Sequence, residues 1–263
     1  MQHEKHKSAR RTIKEIDRNP TNYLIIHYSC ESFYDITDGH TPRITSIAVY
    51  DYASAQTDSF SIHKMAERKM IPIDKIEDHY DELEKSMLNE FFAYVKDHRN
   101  YTWIHWNMRD INYGFKAIEH RFSVLGGKPC KIPDIKKVDL ARLLIDCYGV
   151  NYVGHPRMEK LIELNKISAK DYLSGQQEAD SFKNKEYVKL HRSTLRKVDV
   201  FANILNRVID NKLKVNSKWH EIYGLSFQGI FSFCQEKWWM QIIITMINLI
   251  IGAFLGVMLG KII

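Results

Sequence analysis

Four cations crowd one short stretch of the sequence: Lys189, Arg192, Arg196 and Lys197. On a helix, steps of three and four residues gather charge on one side, which either faces solvent or contacts phosphate oxygens. His191 heads the same run, HRSTLRKV, where Ser193 would serve equally well as a plain helix start. Upstream, His105 lies between Trp103 and Trp106, the surroundings of a core imidazole, and Asp110 suits a helix N-cap. Glu31 follows an apolar run and reads as a partnered carboxylate at a strand end. Cys30, Cys130, Cys147 and Cys234 form no CxxC or CxxH pair, so neither a zinc site nor a disulfide framework is indicated.

The elements that must position these residues follow from periodicity. Residues 23–30 (YLIIHYSC) are β-branched and aromatic, as in a buried strand. A turn at DGHTPR leads to a second strand, ITSIAVYDY, and residues 57–63 alternate as a third. A helix is expected over 74–97, with Ile76, Tyr80, Leu83, Met87, Phe91 and Tyr94 on one face. Residues 101–106 form a short strand, followed by a helix that Asp110 or a neighbour caps and that stops at Gly126-Gly127. KKVD adds an extended piece. Helices near 139–148, 157–165 and 168–174, a charged stretch, and a long helix over 192–212 complete the pattern. The expected class is α/β, a mixed sheet flanked by helices over residues 21–213, preceded by a basic segment, 1–20. The net charge of +6 permits an anionic lipid or a nucleic acid as partner without requiring either.

The C-terminal stretch is of another kind. Residues 240–260, MQIIITMINLIIGAFLGVMLG, contain no ionisable group, enough for a helix to cross a hydrocarbon core of ~30 Å. Trp238 and Trp239 stand where an interfacial aromatic belt belongs. Lys212, Lys214, Lys218 and Lys237 precede the segment against Lys261 after it, which orients the large domain to the cytoplasm. This is the pattern of a single-pass tail anchor in a lipid bilayer. Gln241, Thr245, Asn248, Gly252, Gly256 and Gly260 fall on one stripe, ending in a double GxxxG that favours self-association of the helix. The aromatic segment before it, within 214–239, either lies in the membrane interface or packs on the domain.

The order βββαβα, with polar residues at particular element ends, resembles the ribonuclease H-like (RNase H-like) 3′–5′ exonucleases of the DEDD type. Tyr28-Ser29-Cys30-Glu31-Ser32 stands at the first motif, an Asp-x-Glu in that family. His105-Trp106-Asn107-Met108-Arg109-Asp110 keeps the spacing of the second, VDLARLL looks like the stretch that comes after it, and His191 opens the third. The resemblance implies Glu31, His105, Asp110 and His191 as catalytic positions, and Glu31 and Asp110 as ligands of Mg²⁺ or Mn²⁺. In the family, paired ions roughly 3.5–4 Å apart activate water and stabilise the leaving oxygen. Two ligand positions depart from the pattern: Ser29 replaces an Asp, and Arg196 stands where the third motif needs another. Asp35 and Asp199 are the nearest replacements. The expectation is a tail-anchored protein with a cytosolic, degenerate exonuclease-like domain that binds or senses nucleic acid, with Lys189, Arg192, Arg196 and Lys197 as contacts. The alternatives are an active exonuclease with altered ligands, and a membrane-perturbing defence effector with a sensing domain.

Overall fold

A computed structural model describes residues 2–31, 41–236 and 238–259; the side chains of 236, 238 and 254–259 lie outside that description. Asp35, Lys237, Gly260 and Lys261 are also outside it, as is the start of the expected turn at 38–43. Five strands form one sheet: β1 (Tyr23–Cys30), β2 (Ile44–Asp51), β3 (Thr57–Ser61), β4 (Thr102–His105) and β5 (Lys137–Asp139). Their spatial order is β3-β2-β1-β4-β5. The first three run antiparallel, while β4 lies parallel to β1 and β5 parallel to β4. This mixed sheet is compatible with a ribonuclease H-like arrangement.

Every residue of β1 is buried, so both faces of the sheet must be covered. Leu24, Ile26, Tyr28 and Cys30 pack with α3 (Tyr80–Asp97) and α4 (Phe115–Val124). Tyr23 and Ile25 pack with α1 (Gln2–Arg18), α5 (Leu140–Tyr148), α6 (Arg157–Asn165) and α8 (Tyr187–Ile209). On α3 the expected apolar face is present, although the segment begins with two 3₁₀ turns and the helix proper starts at Tyr80. Glu84, on the same helix, is buried and accepts hydrogen bonds from Ile44 N at 2.7 Å and from Arg121 of α4. It ties two helices to the start of β2.

Several elements differ from expectation. The basic N-terminal segment is a helix whose His6, Ala9, Ile13 and Ile16 are buried, a stripe diluted by charged neighbours. Residues 62–68 leave the third strand as a short helix, α2 (Ile62–Arg68). No helix covers 168–174; instead α7 (Gly175–Lys183) lies in the charged stretch, started by a capping box between Ser174 and Gln177. The long helix begins at Tyr187 rather than 192. Asp110 does not cap α4, because Gly114 precedes it and a Cβ there would sit 2.6 Å from the Met108 carbonyl oxygen. Gly149 ends α5 at φ 84°, and a Cβ on it would lie 2.9 Å from the carbonyl oxygen of Glu221.

Beyond the domain come α9 (Trp219–Tyr223), α10 (Phe227–Glu236) and α11 (Trp238–Leu259). The aromatic segment divides. Tyr223 is buried with its ring 4.8 Å from that of His6, whereas Phe227, Ile230 and Phe231 are exposed. Among the described residues no helix is long and apolar enough to cross a membrane. The side chains described in the last helix, 239–253, would rise roughly 22 Å. The stretch read from sequence as a span, 240–260, runs past them. Asn248 is exposed and a Cβ at Gly252 would meet open space.

The Glu84–Arg121 pair gives a stability test. Arg121→Met should cost about 3–5 kcal/mol, since it strands a buried carboxylate. Adding Glu84→Gln, which keeps an acceptor for Ile44 N, should restore part of that loss. Chemical denaturation of the four chains measures the coupling, and strictly additive losses would refute it.

Candidate functional site

The odd-numbered side chains of β1 turn polar toward its end. His27 and Ser29 meet α8, and Ser29 is completely buried. Ser46 stands 2.6 Å from Thr194, whose hydroxyl donates to Ser29 at 3.0 Å, and Ser29 donates to Glu178 Oε1 at 3.1 Å. The same carboxylate oxygen accepts from Ser193 at 2.9 Å and pairs with Lys197 Nζ at 2.7 Å. Glu178 is 0% exposed and Lys197 6%. Where the exonuclease resemblance needs an acidic ligand, this chain therefore holds a serine wired to an internally neutralised ion pair. Glu178 had no mark in the sequence beyond its place one turn before Phe182, in a run that reads as charged surface.

The other half of the first motif is turned elsewhere. The β1–β2 register shifts between Ser29 and Cys30, interrupting the alternation that would set residues i and i+2 on the same face. Glu31 is bound by Arg43, with Nη2 to Oε1 at 3.2 Å and Nε to Oε2 at 3.3 Å. Arg43 also pairs with Glu77 and stacks over Tyr80 and Phe182. Asp110 is exposed, and its Oδ1 accepts from Asn112 N at 2.8 Å, so it shapes a turn. Among the described residues no group of three or more His, Cys, Asp or Glu could hold a metal ion. Glu31 and Asp110 are thus not part of such a group, and among the described residues nothing fits the two ions that the resemblance implied. Asp199 faces Arg196 at 3.5 Å.

The histidines are partnered differently from the expectation. His105 Nδ1 accepts from Met108 N at 3.2 Å and its ring meets Phe115 edge-on. It lies beside Asp139 across β4 and β5. Asp139 caps α5 through Ala141 N at 3.0 Å, accepts from Asn107 N at 3.2 Å, and pairs with Arg109 Nε at 2.5 Å, off the line of a hydrogen bond. His105, Met108, Arg109, Phe115 and Asp139 line, with Lys116 and Lys137, a cavity of about 320 Å³. Asp139 was legible only as part of VDLARLL. His191 is buried against Ser59 at 3.4 Å and the His63 ring at 5.0 Å, on the β3 side, away from the Ser29 cluster.

The basic run does not make one face. Lys189 pairs with Glu186 and Arg192 is exposed, but Arg196 donates to the Lys170 carbonyl at 2.9 Å and Lys197 points inward. The cation that reaches the Ser29 cluster is Lys197, one residue beyond Arg196. It also borders a cavity of about 450 Å³, walled by His27, Trp106, Arg157, Tyr172 and Phe201.

No family model and no curated protein matches the sequence. Among solved structures, the family B DNA polymerase from the hyperthermophilic archaeon Pyrobaculum calidifontis is similar, with a TM-score of 0.46 and 12% identity. The match covers 71% of this chain and 24% of the polymerase, so this chain spans about a quarter of that protein's length.

Burial lowers the His105 imidazole to about 4, partly opposed by Asp139, and lowers His191 to about 3, with His63 and Lys64 adding to the effect. Both rings stay neutral in the fold below the unfolded value of about 6.5, where the unfolded chain takes up their protons. Stability is therefore complete above pH 6.5 and falls as pH drops from there toward 4. The slope is at most about 1.4 kcal/mol per pH unit for each ring. Denaturant midpoints between pH 7.5 and 5 should show this fall, and His191→Gln should flatten it. A midpoint constant over that range would contradict the assignment.

Proposed function

We propose that this chain is a membrane-tethered module of ribonuclease H-like exonuclease architecture whose catalytic site has been replaced, and that it binds nucleic acid or its components without cutting them. The observation that carries this reading is the Ser29–Glu178–Lys197 cluster. Two-metal catalysis needs anionic oxygen to hold both ions and generate the nucleophile. Here the carboxylate at the end of β1 is already neutralised by a buried ammonium at 2.7 Å, and Glu31 is held by Arg43. A divalent ion would have to displace two salt bridges. The strand order and directions support the architectural half of the proposal.

Tethering rests on the apolar composition of α11 and its tryptophan belt, and the lysines before it in sequence support a cytoplasmic domain. Self-association rests on Asn248 and Gly252, which are uncovered in the single chain, and on Gly256 and Gly260 continuing their stripe in sequence. Membranes carrying the full chain should retain it through high salt and alkaline carbonate. Release by salt alone would remove the anchor.

Catalysis is tested with the full chain in detergent, an end-labelled single strand of DNA or RNA, and Mg²⁺ or Mn²⁺. Little or no shortening is expected, while any binding should weaken as salt rises. Robust metal-dependent shortening, abolished by both Glu31→Gln and Asp110→Asn, would establish an active nuclease and defeat the proposal.

A further inference from the structure

The 450 Å³ cavity lies between the ends of β1 and β4 and helices α5, α6 and α8. None of the acidic or histidine motif positions lines it. Its walls carry polar groups left unmatched inside the fold. Arg157 Nε is buried without a hydrogen-bond partner, and among the described residues Arg157 pairs with no carboxylate; its only hydrogen bond is a long one, 3.4 Å, to the Val150 carbonyl. Arg109 and Lys197 also face the cavity, but Asp139 and Glu178, which balance them, do not line it. Glu159, the acid in the wall, is engaged by the Tyr172 hydroxyl.

His27 adds a directional requirement. Burial, then Lys197, holds its imidazole well below the ordinary range, so the ring is neutral. The Tyr113 hydroxyl donates to the Tyr28 carbonyl at 3.2 Å and stands 3.3 Å from His27 Nδ1. With the single Tyr113 proton on the Tyr28 carbonyl, the tautomer that satisfies both contacts has the hydrogen on His27 Nδ1, donating to the phenolic oxygen. Nε2 is then a bare acceptor, buried and without a partner, in a residue only 6% exposed on the cavity wall. Beside it Phe201 meets the His27 ring edge-on at 5.6 Å and stacks with Trp106 at 5.8 Å, making an aromatic wall. An orphaned buried acceptor at one place and an unbalanced guanidinium at another call for a ligand that supplies both complements.

We infer that this cavity is a metal-independent pocket for a free nucleoside monophosphate. Its phosphate meets Arg157, its base lies against Trp106 and Phe201, and an N–H on the base edge donates to His27 Nε2. The volume falls within the roughly 300–1,000 Å³ of small-molecule sites and suits one nucleotide, not a length of polymer. The inference deepens the non-cleaving reading above by naming a monomer as the bound species, and it rests on that reading.

The test is calorimetric titration of the full chain in detergent, with EDTA present, against AMP, adenosine, purine riboside 5′-monophosphate and inorganic phosphate. AMP should bind tightest. Adenosine lacks the phosphate, and the purine riboside monophosphate lacks the exocyclic N–H, so each should be weaker by about tenfold. Arg157→Gln should weaken AMP by a similar factor, while Lys116→Gln, outside this cavity, should leave it unchanged. GMP, CMP and UMP cover the other base edges. Binding of none of the four monophosphates, equal binding of AMP and the donor-less analogue, phosphate matching AMP, or indifference to Arg157→Gln would each overturn the pocket. Because EDTA excludes metal chemistry, these outcomes are independent of whether the chain shortens a labelled strand when metal is added, which bears on the non-cleaving reading alone.

Discussion

β1 is buried along its whole length and hydrogen-bonded on both edges. That constraint organises everything around it. A strand with no solvent face must be covered twice, which assigns α3 and α4 to one side and α1, α5 and α8 to the other. It also leaves no water for polar side chains on the strand. Each unsatisfied buried group would cost about 1–3 kcal/mol, so Ser29 is tolerated because Thr194 and Glu178 reach it, while Tyr113 reaches His27 at Nδ1 only.

A serine, not a carboxylate, at the strand end limits what the neighbourhood can hold. A cluster of acids attracts divalent ions and repels phosphate until metal arrives. In the Glu178–Lys197 pair the negative charge is balanced, and Oε1 accepts from two hydroxyls as well as the ammonium, while Oε2 is buried without a hydrogen-bond partner. The ammonium meanwhile sits at the edge of a cavity with Arg109 and Arg157. The end of the sheet thus presents cationic groups to that cavity.

The fold was legible where burial imposes a period. β1, β2 and β4 and the face of α3 stood out because apolar residues recur at two or at three and four. α1 did not, since Ala9, Ile13 and Ile16 are outnumbered by charged residues on the solvent side. α7 was hidden inside a charged stretch because the residue that matters, Glu178, looks like its exposed neighbours. The basic run failed for a geometric reason. One residue turns a helix by about 100°, and that step separates Arg196, held at a loop carbonyl, from Lys197, sealed against Glu178. Spacing locates a helix well and its rotation poorly. The register shift at Ser29 and Cys30 likewise leaves no trace in composition, yet it decides where Glu31 points.

Gly149 bears on how the domain is joined to its C-terminal helices. Its absent side chain lets the end of α5 come against the backbone of α9, where a Cβ would fall 2.9 Å from the Glu221 carbonyl oxygen, too close for any side chain. The last helices therefore leave from a seat on the domain and do not dangle from a tether. A side chain at position 149 would have to push α9 off that seat, so the junction tolerates nothing larger than a hydrogen atom there.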